Sequence, residues 1–292
     1  MGKNTWEGRT KEHLALYKRH ELKVYEDGIW PTNGKRYPHI LPKALMRLNI
    51  LPSFRDEFRA RFDHSAIFLQ GSHCRLNSHE ALCFSLHRFF HHLNSSQALC
   101  FNLFFPFLLR NGERLGAIVR ALGFSEQPVD GACFEFEPCR REGTNFDFMV
   151  PLDSGSRVYF EIKYTEREFG SAKDDEEHRA KFQSIYKPHT TDRFEAQFCT
   201  QTGFLKNYQI LRNLWHLDLT KDDVAVFLIP RANQPIRSAE NIIGSCLLER
   251  FRRRAKIVYL EDLLTHLENS LEVSNSYKEG ALAEFRKKYL PA

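Results

Sequence analysis

Between Ala132 and Lys163 the chain carries three short segments, ACFEFE, NFDFMVP and RVYFEIK, in which aromatic and aliphatic residues alternate with other types. A period of two sends successive side chains to opposite faces of an extended strand. The stretch Asp153-Ser154-Gly155-Ser156 between the last two segments has the composition of a tight turn. The pattern predicts a three-strand meander over Ala132–Glu137, Asn145–Pro151 and Arg157–Lys163.

Helical patterns flank the meander. Ser78-His79-Glu80 is placed to cap a helix running to about Leu93, Ser95-Ser96 opens a second to about Leu109, and Gly112-Glu113 a third to Leu122. After Gly170 come a charged run, Lys173–Lys181, read as a solvated helix face, and the amphipathic stretch Asp192–Trp215. Two apolar runs, Val224–Pro230 and Lys256–Leu260, read as buried strands, each followed by a helix. The expected fold class is α/β, a mixed central sheet of the meander plus two further strands, flanked by helices. Residues 1–70, broken by Pro31, Pro38, Pro42 and Pro52, are expected to form an N-terminal extension of short helices and loops, with the main domain over 71–292.

Composition narrows the function classes. Twenty-five phenylalanines make a globular core, and 42 basic against 37 acidic residues leave a mild net charge of +5 that suits a polyanion. Seven cysteines without a C-x-x-C pair argue against a disulfide framework or a zinc ribbon, so reduced thiols in a cytoplasmic protein are expected. The opening MGKNTWEGRTKEHL lacks the apolar stretch of a signal peptide. The greasiest segment, Ala98–Leu109, is too short to span a bilayer.

The chemistry concentrates in the last two strands of the meander. On one face of the third strand stand Tyr159, Glu161 and Lys163, with Val158, Phe160 and Ile162 on the other; on the second strand Asp147 stands opposite Phe146, Phe148 and Val150. The hairpin can thus bring Asp147 beside Glu161 and Lys163. Two carboxylates with a main-chain carbonyl suit Mg²⁺ or Mn²⁺, and a lysine beside the ion helps orient and deprotonate an attacking water. The alternative is a charged face of an edge hairpin, with Lys163 as a cross-strand partner.

Asp147, thirteen residues, then Glu161-Ile162-Lys163 resemble the D…E-x-K signature of the PD-(D/E)XK nuclease superfamily, with Phe146 where that pattern has proline. The segments SSQALCFNLFFPFL (Ser95–Leu108) and FEIKYTEREFG (Phe160–Gly170) are similar to those of a bacterial restriction-endonuclease-like group. The resemblance implies a helix–meander–helix–strand core. It also implies a metal held by Asp147, Glu161 and the Ile162 carbonyl, with Lys163 positioning the water, and hydrolysis of DNA in defence or repair. Endonuclease action is expected, and pairing of two copies to cut both strands is left open. A further polar residue from the preceding region is expected to complete the site: Gln97 first, Glu80 second, with Glu113 and Glu135 as competitors.

On the helix read over Gly203–Trp215, Lys206, Gln209 and Asn213 share a polar face, with Arg212 alongside; Lys206, Gln209 and Arg212 are the expected nucleic-acid contacts. Arg250–Arg254 is the strongest basic cluster, read either as a patch for the DNA backbone or as the basic C-terminal end of a helix. His87 and His91 have an i, i+4 spacing able to bind zinc, but without H-E-x-x-H they read as surface or core histidines. A non-catalytic nucleic-acid-binding or interaction protein that retains the nuclease fold is the competing function. The absence of a Walker or dinucleotide glycine pattern disfavours an enzyme acting on a small phosphate ester.

Overall fold

The computed structural model describes residues 5–63, 86–109 and 115–291. In chain order these give α1 (Trp6–His20), a small β1–β2 pair (Gly28–Ile29 and Arg36–Tyr37), α2 (Arg55–Asp63), α3 (Ser96–Leu108) and α4 (Leu115–Ala121). The strands β3 (Cys133–Phe136), β4 (Phe146–Pro151) and β5 (Arg157–Ile162) follow. Then come α5 (Glu176–Lys181), α6 (Gln201–Lys206), α7 (Tyr208–Trp215), β6 (Val224–Ile229), α8 (Gln234–Arg237), α9 (Glu240–Ser245) and β7 (Ala255–Tyr259). The helices α10 (Leu260–Asn269), α11 (Asn275–Tyr277) and α12 (Ala283–Tyr289) end the chain. No helix among the described residues is long and apolar enough to cross a membrane.

Two compact units emerge, one of residues 1–133 and 261–292 and the other of 134–260. The boundary expected near residue 70 lies outside the described residues.

The first unit is helical. Ser95 caps α3 by accepting from the Ala98 N–H, and from Gln97 to Phe107 every residue of the helix is buried, as an all-round apolar helix requires. Its rings Phe101 and Phe105 meet Phe54, Phe58 and Phe90 in one aromatic cluster. Asn102, buried in the same helix, accepts from the Leu51 N–H at 2.9 Å and donates to the Asn49 carbonyl and to Tyr289 Oη. These bonds satisfy backbone groups of a loop that no ladder reaches.

The segment 86–93 forms turns, and the helix expected through it to Leu93 is corrected for those residues. Its backbone is drawn out by long-range bonds: Leu93 N–H to the His39 carbonyl, Leu41 N–H to the His91 carbonyl, and Asn49 Nδ2 to the carbonyls of Phe90 and His92. His87 and His91 therefore do not share a helix face. His91 and His92 are buried, with His91 Nε2 3.2 Å from the Ile29 carbonyl oxygen.

The second unit holds the five-stranded mixed sheet, in the order β3-β4-β5-β6-β7. The β4–β5 hairpin is antiparallel, and β5, β6 and β7 run parallel, joined by helical crossovers. Gly155 closes the hairpin turn at φ +83°, with its N–H on the Leu152 carbonyl. All six residues of β6 are buried, as a strand covered on both faces demands.

The helix expected over Gly203–Trp215 is two helices. Asn207 leaves helical geometry at φ −115°, ψ 34°, and its side chain bonds the Gly203 carbonyl, competing with the main-chain ladder. Gly203 is required because a Cβ there would lie 2.0 Å from the Gln197 carbonyl oxygen.

Candidate active site

The β4–β5 ladder runs from Pro151↔Arg157 to Phe148↔Phe160 and stops. The next opposed positions in that register are Asp147 and Glu161, which share a face of the sheet. Beyond the last pair, the Ile162 N–H turns to Asp147 Oδ2 at 2.6 Å. The N–H and carbonyl of one strand residue leave by the same edge, so the Ile162 carbonyl also leaves toward β4.

Glu161 is 4 % exposed and its carboxylate is held by three donors. Lys163 Nζ lies 2.9 Å from Oε1, Gln209 Nε2 donates to Oε1 at 2.7 Å, and Asn213 Nδ2 donates to Oε2 at 2.9 Å. Gln209 and Asn213 are one turn apart on α7, so that helix lies along the Glu161 face and grips both oxygens at once.

Charge crowding marks the site. Burial, then the charge of Glu161, then that of Glu135, push the Asp147 carboxyl well above its ordinary value, against the opposing pull of Lys163 and the Ile162 N–H. Glu135 stands on β3 with φ +50°, a left-handed conformation that is strained for a non-glycine residue. Burial alone would lower the Lys163 pKa, but Glu161, Glu166 and Asp147 outweigh it and raise it, so Lys163 is a fixed cation at neutral pH. Its ammonium also lies 5.8 Å from the Phe169 ring centroid.

Around this centre α7 is fastened at both ends to one buried carboxylate. Glu142 Oε2 is 2.7 Å from Nε2 of His216, the residue that caps α7, and Oε1 accepts from Tyr186 Oη, which lies 3.0 Å from Oη of Tyr208 at the start of α7. The Thr144 N–H and Lys181 complete its shell.

A family model described as restriction endonuclease associating with ARP matches residues 11–290 of the chain. The chain belongs to that family. No curated protein and no solved structure matches it. The family fits the fold, a five-stranded mixed sheet with helices around it, and makes the chain restriction-endonuclease-like.

Within this family member, Asp147, Glu161, Ile162 and Lys163 come together at the end of the hairpin. Gln209 joins them, as a ligand of the Glu161 carboxylate. Asn213 has the same role and is not among the site residues the sequence points to; an amide pair at i, i+4 on one helix is the signal that marks it. Lys206 is exposed on the separate helix α6, and the Arg212 guanidinium lies 5.2 Å from the Tyr208 ring centroid. Gln97 lies in the first unit, buried, with Oε1 accepting from the His87 N–H. Glu80 and Glu113 lie outside the described residues. Of the basic cluster, Arg252 and Arg254 are ion-paired to Glu195 and Asp222, and Arg250 bonds the Asp192 carbonyl. Among the described residues no group of three or more His, Cys, Asp or Glu side chains gathers at metal-binding distances.

The donors of this centre fit a hard divalent cation. They are carboxylate and carbonyl oxygens, Glu161 Oε2 accepts one hydrogen bond among the described residues, and the repulsion between Asp147 and Glu161 is of the kind a dication relieves.

Proposed function

We propose that the chain is a divalent-metal-dependent nuclease that hydrolyses phosphodiester bonds of DNA. One observation carries this reading: the β4–β5 ladder ends where Asp147 and Glu161 face each other, with Lys163 bonded to Glu161. Asp147, Glu161 and the Ile162 carbonyl would hold Mg²⁺ or Mn²⁺, which when bound supplies Lewis acidity at the phosphate and a more acidic water. Lys163, kept charged by its neighbours, orients the attacking water and offsets charge that builds on the phosphate oxygens. Gln209 and Asn213 keep the Glu161 carboxylate in one orientation while Asp147 is held by the Ile162 N–H. Water adds across the P–O3′ bond, leaving a 5′-phosphate and a 3′-hydroxyl.

The test is cleavage of labelled duplex and single-stranded DNA with Mg²⁺ or Mn²⁺ by the wild type, Asp147→Ala and Lys163→Ala, with circular dichroism to check the fold. Both variants lose cleavage; wild-type rates in both would sink the reading. Asp147→Asn, which removes the crowded charge and keeps an acceptor for the Ile162 N–H, raises the melting temperature in EDTA.

A second reading, a non-catalytic interaction protein on the nuclease fold, is favoured by the three donors already on Glu161 and by the association with ARP named in the family description. Under it, Mg²⁺ and Mn²⁺ leave the melting temperature of the wild type and of Asp147→Ala equally unmoved.

A further inference from the structure

Leu16, Arg19 and His20 share one side of the last turn of α1, at i, i+3 and i+4, and Lys23 and Tyr25 follow its end. The five line a cavity of about 440 Å³ in the first unit. Lys23 takes φ +55°, the left-handed conformation in which helices commonly end.

Two large apolar side chains stand in water at the rim of this cavity, Tyr25 at 72 % exposure and Leu16 at 51 %. Single exposed apolar residues are ordinary, but a pair lining one cavity is the kind of surface that a partner covers. Arg19, His20 and Lys23 are exposed beside them, and among the described residues their side chains make no hydrogen bond and no ion pair. The adjacent acid, Glu21, pairs with Lys287 at 2.6 Å and acts on Lys23 and His20 at longer range; the next, Glu26, pairs with Arg36. Two full cations and an imidazole exceed the about half a unit of negative charge that a helix end attracts.

The same end of α1 offers acceptors. The Tyr17 carbonyl takes the N–H groups of Glu21 and Leu22, and the Lys18 carbonyl takes that of Val24. Among the described residues no main-chain N–H bonds the carbonyls of Arg19 and His20. A peptide carries both the carboxylates that suit the cations and the N–H donors that suit these carbonyls, whereas a phosphodiester backbone has no donor to give.

We propose that this cavity docks an acidic segment of a partner protein. One apolar side chain seats between Leu16 and Tyr25, and carboxylates on either side of it pair with Arg19 and Lys23, an apolar centre with a charged rim. The site goes beyond the nuclease reading and does not depend on it.

The probe is a short fluorescein-labelled peptide of Asp, Glu and Ser with a central Leu-Phe pair, titrated with the full chain and followed by anisotropy; melting curves check the fold of each variant. The wild type binds it, and added salt weakens binding. Arg19→Glu/Lys23→Glu weakens binding about 10-fold or more, as does Leu16→Ser/Tyr25→Ser, and so does replacing the Leu-Phe pair of the probe by Gly-Ser. The charge-matched control, Lys173→Glu/Arg253→Glu on exposed residues of the second unit, binds like the wild type. No binding of the probe, equal affinity in either cavity variant, an equal loss in the control, or equal binding of the Gly-Ser probe overturns the proposal. A single-stranded oligonucleotide that binds in place of the peptide and is lost in Arg19→Glu/Lys23→Glu assigns the cavity to nucleic acid and also overturns it.

Discussion

Asn213 donates from Nδ2 to Glu161 Oε2 at 2.9 Å, across fifty-two residues of sequence, and it is fully buried. On the other oxygen Lys163 and Gln209 share the load, whereas Asn213 is the single donor to Oε2 among the described residues.

Asn213→Ala therefore removes more than Gln209→Ala does. A hydrogen bond to a charged group is worth about 1.5–3 kcal/mol, and loss of a residue that orients a metal ligand costs about 10–100-fold in metal affinity or activity. The expectation is a lower urea midpoint and weaker Mn²⁺ binding by titration calorimetry in Asn213→Ala, with Gln209→Ala between it and the wild type. Equal behaviour of the two variants would remove the special place given to Oε2.

Glu142 is the group whose loss should hurt the fold most. Burial alone would raise its pKa, but bonds from His216, the Thr144 N–H, Tyr186 and Lys181 outweigh it and hold the carboxyl far below the ordinary glutamate range. A depressed carboxyl stabilises the fold above its unfolded value, near pH 4.5, and that stability is lost only as pH falls toward the folded value. Glu142→Ala strands its donors and costs about 3–5 kcal/mol by urea denaturation at pH 7. Because both ends of α7 are tied to this carboxylate, Tyr186→Phe, which frees one end, costs less.

Acid acts on the first unit through two buried histidines. Burial, then the positive charge of Lys11 and neighbouring groups, lowers His39 to about 3; burial, then His91 and Lys11, lowers His92 to about 4. Both fold neutral. Unfolded histidine titrates near pH 6.5, so the contribution is complete above that pH and declines as pH falls toward 4 and then 3. Denaturation at pH 7.5 and pH 5 is expected to differ by about 1 kcal/mol per histidine after solvent screening. His92→Gln reduces the pH dependence; a midpoint that does not move with pH in the wild type contradicts it.

Much of the centre was legible because it is local. Alternation fixes which side chains of β4 and β5 share a face, and the turn at Gly155 fixes their register, so Asp147, Glu161 and Lys163 could be placed together from residues 145–163 alone. The five strands were legible too, within a residue or so at each end, since apolar runs of that length have few other uses. The failures lie where long-range bonds compete with local preference. Residues 86–93 have a helical pattern, yet Asn49, His39 and Leu41 take up their backbone groups and hold them as turns. At Asn207 a side-chain bond to Gly203 breaks one amphipathic pattern into two helices.

Strand periodicity acts between neighbours in the chain, and it is enough to place the strands, their buried faces and the pairing of two carboxylates with a lysine. What surrounds them comes from packing across the fold: Asn213 and Gln209 on the Glu161 oxygens, Glu142 at both ends of α7, Arg231 and Arg237 over Tyr259. Those partners are brought in by parallel crossovers and helix packing across tens of residues, and no local pattern encodes which polar side chain of a buried helix face will meet which carboxylate.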